Sequence, residues 1–138
     1  MANKVIARYL DGRVLKGSSL DVSPNRPICH LREGEGAMTQ VRLDELKALF
    51  FVKSLDGDPK HVEGQEIEPV DPRLRGSHLV DVTFGDGEKI RGLCTRYPPQ
   101  TTYFFLVPVD STSNNVRILV NGAAMQGVAP AEVSDGQE

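Results

Sequence analysis

The histidines and cysteines are the residues best suited to metal binding or nucleophilic catalysis, and their spacing favours neither. His30, His61 and His78 lie far apart and lack the i/i+4 or Cys-x-x-Cys spacing of a zinc site. Cys29 is predicted at an inward strand position, where a thiol behaves as a small apolar group. His30 follows it directly, and neighbouring side chains on a strand point to opposite faces. We therefore expect no metal, no cofactor and no cysteine nucleophile, with Cys94 likewise a structural thiol.

The carboxylates are explained by local structure. Asp11 and Asp86 each precede a glycine in a tight turn, while Asp44 and Glu45 suit the start of a helical turn. Spacing places no pair of acids in a pocket where general acid and base could be tuned. The sequence also lacks a nucleophile elbow, a P-loop and a dinucleotide fingerprint. We therefore predict that the protein is not an enzyme.

The run Thr102–Val107 carries a pattern that points to binding. Tyr103 and Phe105 alternate with Phe104 and Leu106, so the predicted strand is apolar on both faces. The outward face could pack against the rest of the chain or a partner protein, since a soluble monomer rarely exposes such a patch. Alternatively, its aromatic rings could stack bases of single-stranded nucleic acid beside arginines. The candidate binding surface consists of Tyr103, Phe105, Arg91, Arg96 and Arg117.

An internal repeat organises the elements that must position these residues. Positions 4–53 align with positions 79–128 at a constant offset of 75, without a gap. The identical pairs are Val5/Val80, Asp11/Asp86, Gly12/Gly87, Gly17/Gly92, Pro24/Pro99, Leu31/Leu106, Val41/Val116, Arg42/Arg117 and Ala48/Ala123. Because most of these are inward, turn or bend positions, the repeat is predicted to duplicate a scaffold rather than a site.

Each half is predicted to contain five short strands. Asp-Gly joins the first two as a tight hairpin, a glycine (Gly17 or Gly92) bends the second, and one helical turn precedes the fifth. The strands are predicted at Lys4–Tyr9, Arg13–Val22, Pro27–Arg32, Gln40–Leu43 and Ala48–Lys53, and at Val80–Phe84, Glu88–Tyr97, Thr102–Val107, Asn115–Val120 and Ala123–Val128. The predicted fold is mainly β: two tandem five-stranded barrels of the SH3-like or Sm-like type. Whether the halves stay separate or exchange strands into one continuous sheet is left open.

Four segments follow from this pattern. Residues 1–54 form the first repeat and residues 77–128 the second. Between them, residues 55–76 are rich in charge and proline and are predicted to be an extended linker, with one strand near Ile67. Residues 129–138 are small and acidic and are predicted to be a disordered tail.

Composition limits the function classes. The net charge of −3 weighs mildly against general binding of a phosphate backbone. The N-terminal run MANKVIARYL lacks the apolar stretch of a signal peptide, and no segment approaches membrane-spanning length. Two cysteines are too few for a disulfide scaffold. We expect a cytoplasmic protein with reduced thiols and no membrane partner.

The runs KVIARYLDGRVLKG, LDELKALFFVKSLDGDP and FFLVPVDSTSNNVRILV resemble a bacterial family of unknown function, found alone or attached to signalling and two-component proteins. The resemblance covers nearly the whole chain and implies no activity or catalytic residues. The paired-arginine and Asp/Asn-x-Ser-x-x-Gly motifs of a PilZ barrel are not evident. The expected function is a non-enzymatic binding or scaffolding module of bacterial signalling, with a protein partner or a second copy. RNA or nucleotide binding through an Sm-like surface is the alternative.

Overall fold

The computed structural model describes residues 2–133, and within them the protein is mainly β with no α-helix. The first half contains β1 (Asn3–Tyr9), β2 (Val14–Ser19), β3 (Ile28–Arg32), β4 (Met38–Arg42) and β5 (Leu46–Val52). The second contains β6 (His78–Phe84), β7 (Lys89–Cys94), β8 (Tyr103–Pro108), β9 (Asn115–Asn121) and β10 (Met125–Pro130). Short 3-10 turns lie at Leu43–Glu45, Pro72–Arg75 and Gly122–Ala124. The mainly β prediction and the helical turn before each fifth strand are confirmed.

All ten strands form one open antiparallel sheet in the order β10-β6-β7-β8-β9-β5-β1-β2-β3-β4. Each half keeps its own five strands in the same internal order, and β5 pairs with β9 to join the halves. The sequence predicts two closed barrels, but among the described residues the strand pairings close neither half on itself. The reason is that the fifth strand of the first half pairs with the fourth strand of the second. Of the two arrangements left open, the continuous sheet forms, and it forms without strand exchange.

The offset between the halves changes along the chain. It is 75 from β1/β6 through β3/β8 and 79 from β4/β9 onward, since Val41 faces Cys29 as Val120 faces Phe104. The predicted pairs Val41/Val116, Arg42/Arg117 and Ala48/Ala123 are therefore wrong. Val41, for example, is fully buried, whereas Val116 is 50% exposed. Val41 corresponds instead to Val120, which is also fully buried. The gapless alignment failed because the second half inserts four residues around its polar 109–114 loop.

The two Asp-Gly hairpins form as predicted. Gly12 and Gly87 have φ of 97° and 93°, a region that a side chain on Cα disfavours. Asp11 Oδ1 accepts a hydrogen bond from Arg13 N at 3.0 Å, and Asp86 Oδ1 accepts one from Glu88 N at 2.9 Å. These bonds, each spanning two residues, stabilise both turns locally.

The second strand of each half crosses closely over the third. A Cβ on Gly17 would lie 2.3 Å from the carbonyl oxygen of Arg32, and one on Gly92 would lie 2.7 Å from that of Val107. The register matches this, since β2 pairs with β3 only where Ser18 faces Arg32. The glycines therefore permit the close approach of the second strand to the third in each half.

Two apolar cores lie on opposite faces of the shared sheet, and each draws on both halves. One core contains Val80, Val82 and Phe84 of the second half. It also contains Ile6 of β1 and Phe50 of β5, whose side chains lie on the face opposite the first-half core. The other joins β1 to β5 of the first half to Leu119, Tyr103 and Phe105. Strands β5 and β9 are apolar on both faces because each face belongs to a different core.

The segment between the halves packs onto the second half. Ile67 is buried against Leu79, Leu93 and Val109 in a third apolar cluster. The strand predicted near Ile67 does not form; a bulky apolar residue is buried there without pairing to a sheet edge. The predicted tail begins too early, since β10 runs to Pro130 and Ala131 N donates to Leu79 O at 2.9 Å. The remainder of the predicted tail, residues 134–138, lies outside the described residues.

No helix in residues 2–133 has the length and apolar character needed to cross a membrane.

Candidate binding surface at the junction of the halves

Arg117 lies where β9 meets β5 and is held between two phenyl rings. Its guanidinium carbon lies 4.4 Å from the ring centroid of Phe51 and 4.4 Å from that of Phe105. The two ring centroids are 5.9 Å apart, with the planes tilted by 60°. A cation over a ring face is attracted by the ring quadrupole, so Arg117 is fixed while its side chain remains exposed. We call Phe51, Tyr103, Phe105 and Arg117 the junction face.

Tyr103 extends the junction face toward the first half. Its ring packs, half-buried, at the edge of the first-half core. Burial raises the pKa of its phenol, and the nearby carboxylate of Asp44 adds to the rise while Arg42 opposes it. Arg42 and Asp44 form an ion pair at 3.0 Å on the surface. The face is therefore aromatic at its centre and carries charges of both signs at its rim.

A buried amide ties the junction together. The side chain of Asn121, at the end of β9, donates through Nδ2 to Leu46 O of the first half at 2.8 Å. Its Oδ1 accepts from Ala123 N at 3.0 Å and so caps the following 3-10 turn. The Asn121 side chain thus bonds a backbone N–H in the second half and a backbone carbonyl in the first.

A charged contact joins β5 of the first half to the β6–β7 hairpin of the second. Lys47 of β5 reaches across to Asp86, at 2.8 Å, and to Glu88 of the second half. Partial burial works to lower the pKa of Lys47, but its bonds to the two acids outweigh this and the pKa is raised. Lys47 also lies 4.9 Å from the ring centroid of Phe84. Sequence alone does not signal this contact, since the partners are about forty residues apart.

The predicted surface is split by the fold. The structure brings Tyr103, Phe105 and Arg117 together but places Arg91 and Arg96 elsewhere. Arg91 bonds both carboxylate oxygens of Asp81, at 2.9 and 3.1 Å, and also the Gln65 carbonyl at 3.2 Å. These bonds from Arg91 lower the pKa of Asp81.

Arg96 follows β7 in an exposed loop, where its carbonyl accepts a hydrogen bond from the Cys94 thiol at 3.2 Å. It lines a small depression with Pro99, Gln100 and Phe104. Phe104 belongs to the core on the other face of β8 from Tyr103 and Phe105, so Arg96 lies on the opposite side of this strand from the junction face.

A groove of about 440 Å³ lies where the first half, the linker and the second half meet. Arg8 lies over the ring of Phe50 there, 5.5 Å from its centroid. Acidic and basic residues alternate around an apolar floor, so the groove has no single electrostatic preference. Its lining includes Ile6, Arg8, Phe50, Glu63, Lys89 and Ile118.

Sequence reasoning missed a clamp on the linker. Asp110 Oδ2 accepts from Gly64 N at 2.9 Å and lies 3.0 Å from His61 Nε2; Oδ1 accepts from Thr112 N at 2.8 Å and from its hydroxyl at 2.6 Å. These bonds, led by that of the Thr112 hydroxyl, hold the pKa of Asp110 far below its usual range.

Glu63 lies near the same histidine, 3.6 Å from Nε2, so three metal-ligating side chains converge at this clamp. Local spacing in the sequence does not reveal this cluster, because Asp110 comes from a segment far from His61 and Glu63. The carboxylate of Asp110 already accepts three hydrogen bonds, from Gly64 N and from the backbone and hydroxyl of Thr112, and lies beside His61 Nε2. These contacts hold the linker against the second half.

The two cysteines are buried free thiols. Burial raises the pKa of Cys29 to about 11. Burial also raises the pKa of Cys94, against the opposing effect of its bond to Arg96 O. Because the thiolate is the reactive form, both groups are held as weak nucleophiles near neutral pH.

The fold and the junction face together define a duplicated, all-β protein whose two five-stranded units share one sheet and expose an aromatic and cationic face where they meet. The chain belongs to a family of unknown function (DUF6982), whose model matches residues 1–130. No curated protein and no solved structure matches it significantly.

Proposed function

We propose that the protein is a non-enzymatic binding module that serves as a scaffolding or regulatory component of bacterial signalling. The observation that carries this proposal is Arg117, exposed and fixed between Phe51 and Phe105. Among the ion pairs of residues 2–133, none involves Arg117. A preordered cation without an acidic partner is suited to receive a carboxylate from another protein.

The composition of the junction face supports a protein partner. Arginine and aromatic residues are enriched at the energetic centres of protein interfaces. Stacking on two rings removes most of the rotamer freedom of Arg117 before binding, so less entropy is lost on association. The partner we propose offers an acidic residue to Arg117 and an apolar one to the half-exposed ring of Tyr103.

The contacts of the arginines weigh against the nucleic-acid alternative. Base stacking needs a free ring face, but Phe51 is buried and the guanidinium of Arg117 lies over the half-buried ring of Phe105. Arg91 is bound to Asp81, which reduces its attraction for phosphate. Neutralising several phosphates requires several free cations on one surface.

Two finer features belong to the same proposal. We liken each half to an SH3-like or Sm-like unit, on the strength of its strand order, the close approach of its second strand to its third and the 3-10 turn before its fifth strand. We also propose a cytoplasmic location, supported by two unpaired cysteines.

The test is capture from the source cell with short-range chemical crosslinking and mass spectrometry. We expect a partner crosslinked near residues 103–121, lost in Arg117→Ala and retained in Arg26→Ala, a matched exposed arginine in the first half. Capture that is unchanged by Arg117→Ala would contradict the proposal. A titration with short single strands at low salt is the second arm, and salt-sensitive binding there would favour the alternative.

A further inference from the structure

The sheet ends in two strands that have no second neighbour, β4 at one edge and β10 at the other. These are the fourth strand of the first half and the fifth strand of the second. The junction inside the molecule is made by the same two kinds of strand, β9 and β5. Each molecule therefore carries, on its two free edges, both partners of a pairing that it already makes internally.

We propose that β10 of one copy pairs antiparallel with β4 of a second copy and so repeats the β5–β9 junction between molecules. The inference goes beyond the protein-binding role and does not depend on the junction face. The occupant of each edge is a second copy of this chain, because continuity with the internal junction supplies the geometry.

The internal register fixes the register between copies. Ala48 faces Val120, Leu49 faces Leu119 and Phe50 faces Ile118 in the β5–β9 pairing. The offset of 79 relates each β5 residue to a residue of β10 and each β9 residue to a residue of β4. The expected pairs between copies are Gly127 with Val41, Val128 with Gln40, and Ala129 with Thr39.

The free edges are only lightly protected. Natural sheets discourage edge pairing with proline, inward charges or bulges. The pairing of β10 with β6 is irregular at Met125–Gly127, and the pairing of β5 with β1 is irregular at the equivalent place. Because β5 nevertheless pairs with β9, this irregularity does not prevent a further strand from pairing. Pro130 removes one backbone donor at the end of β10. The Tyr97 hydroxyl donates to Val128 O at 3.5 Å. Pairing with a second copy would replace this long, exposed bond.

The contact between copies is expected to be weaker than the internal junction. Phe50 and Ile118 are buried at the junction, and their equivalents on the edges are Ala129 and Thr39. Backbone hydrogen bonds would supply most of the attraction, as in other strand-addition complexes. Association should therefore be reversible and dependent on concentration. Because the two edges differ, it is head-to-tail and can add more than one copy.

The direct test uses two single variants, Thr39→Cys and Ala129→Cys, each purified separately and carrying different mass tags. Mixed under mild oxidation, they should give a disulfide dimer with one molecule of each kind. Either variant alone should give little covalent dimer, as should the wild type with its two buried cysteines. Dimers of Thr39→Cys with itself would show two β4 edges pairing and would overturn the proposal.

Charge placement gives a second measurement in sedimentation equilibrium. Two glutamates, as Thr39→Glu with Ala129→Glu, should weaken self-association by about fivefold, since like charges face each other across strands. The matched pair Thr39→Glu with Ala129→Lys should restore it, and Arg117→Ala should leave it unchanged. A wild type that stays monomeric at all concentrations would refute the proposal, as would equal effects of both charge pairs.

Discussion

At the scale of single residues, Gly17 and Gly92 permit the closest backbone approach in each half. An alanine methyl at either position would overlap the carbonyl of the neighbouring third strand. We predict that Gly17→Ala lowers the free energy of unfolding by about 2 kcal/mol, within the range for overpacked sites. Gly76→Ala, where no heavy atom lies within 4 Å of the added Cβ, is the control. Urea denaturation of both variants measures the difference, and equal midpoints would contradict the crossing-strand account.

Asp110 gives a pH dependence whose sign follows from its depressed pKa. A carboxyl with a lower pKa in the folded state stabilises the fold above its unfolded-state pKa, and this contribution is lost as the pH falls toward the folded-state value. The linker should therefore loosen below about pH 4. The protection factors of the Gly64 and Thr112 amides, which correct for the intrinsic pH dependence of exchange, should fall there. In Asp110→Asn these amides should exchange faster at pH 7 and lose most of this acid dependence; protection equal to wild type at pH 7 would count against the clamp.

At the scale of elements, β5 is the strand on which both cores depend. Phe50 faces the second-half core while its neighbour Phe51 faces the first. We predict that Phe50→Ala destabilises the whole chain by about 3–5 kcal/mol, the usual cost of emptying a large buried aromatic site. Val14→Ala, at a largely exposed position of β2, should change stability by less than about 0.5 kcal/mol. Chemical denaturation followed by circular dichroism checks both, and a small effect of Phe50→Ala would mean that the cores are separate.

Local chemistry explains which elements the sequence could predict. The Asp-Gly hairpins and the turn before each fifth strand depend on residues close in sequence, and the sequence predicts both. The offset of 79 was missed because the inserted loop residues are polar and leave no periodic mark. The clamp of Asp110 on His61 and Gly64 was missed because its partners lie in a segment predicted to be an extended linker.

At the scale of the whole molecule, the pattern of Thr102–Val107 indicated a strand that is apolar on both faces but could not say what covers it. The structure answers that the first-half core covers Tyr103 and Phe105 in part. The joining of β5 to β9 was beyond sequence reasoning, because open and closed five-stranded units share the same alternation. The function we propose follows the same division, since the scaffold is duplicated whereas Arg117, Phe51 and Phe105 meet at the junction.

Because each core borrows side chains from the other half, neither half should fold alone. Fragments 2–54 and 77–133 should each show poorly dispersed amide spectra and no cooperative thermal transition. Mixed together, they should recover a dispersed spectrum, since β5 and β9 can still pair. A stable, well-dispersed fragment 77–133 would indicate that the second core needs nothing from Ile6 or Phe50.

The pairing of β5 with β9 is the central claim, since it defines the shared sheet, the junction face and the two free edges. Backbone nuclear Overhauser effects in solution test it most directly. We predict cross-strand contacts between Phe50 and Ile118 and between Leu49 and Leu119 in the intact chain at low concentration. Absence of these contacts, with the two halves tumbling independently, would contradict the account.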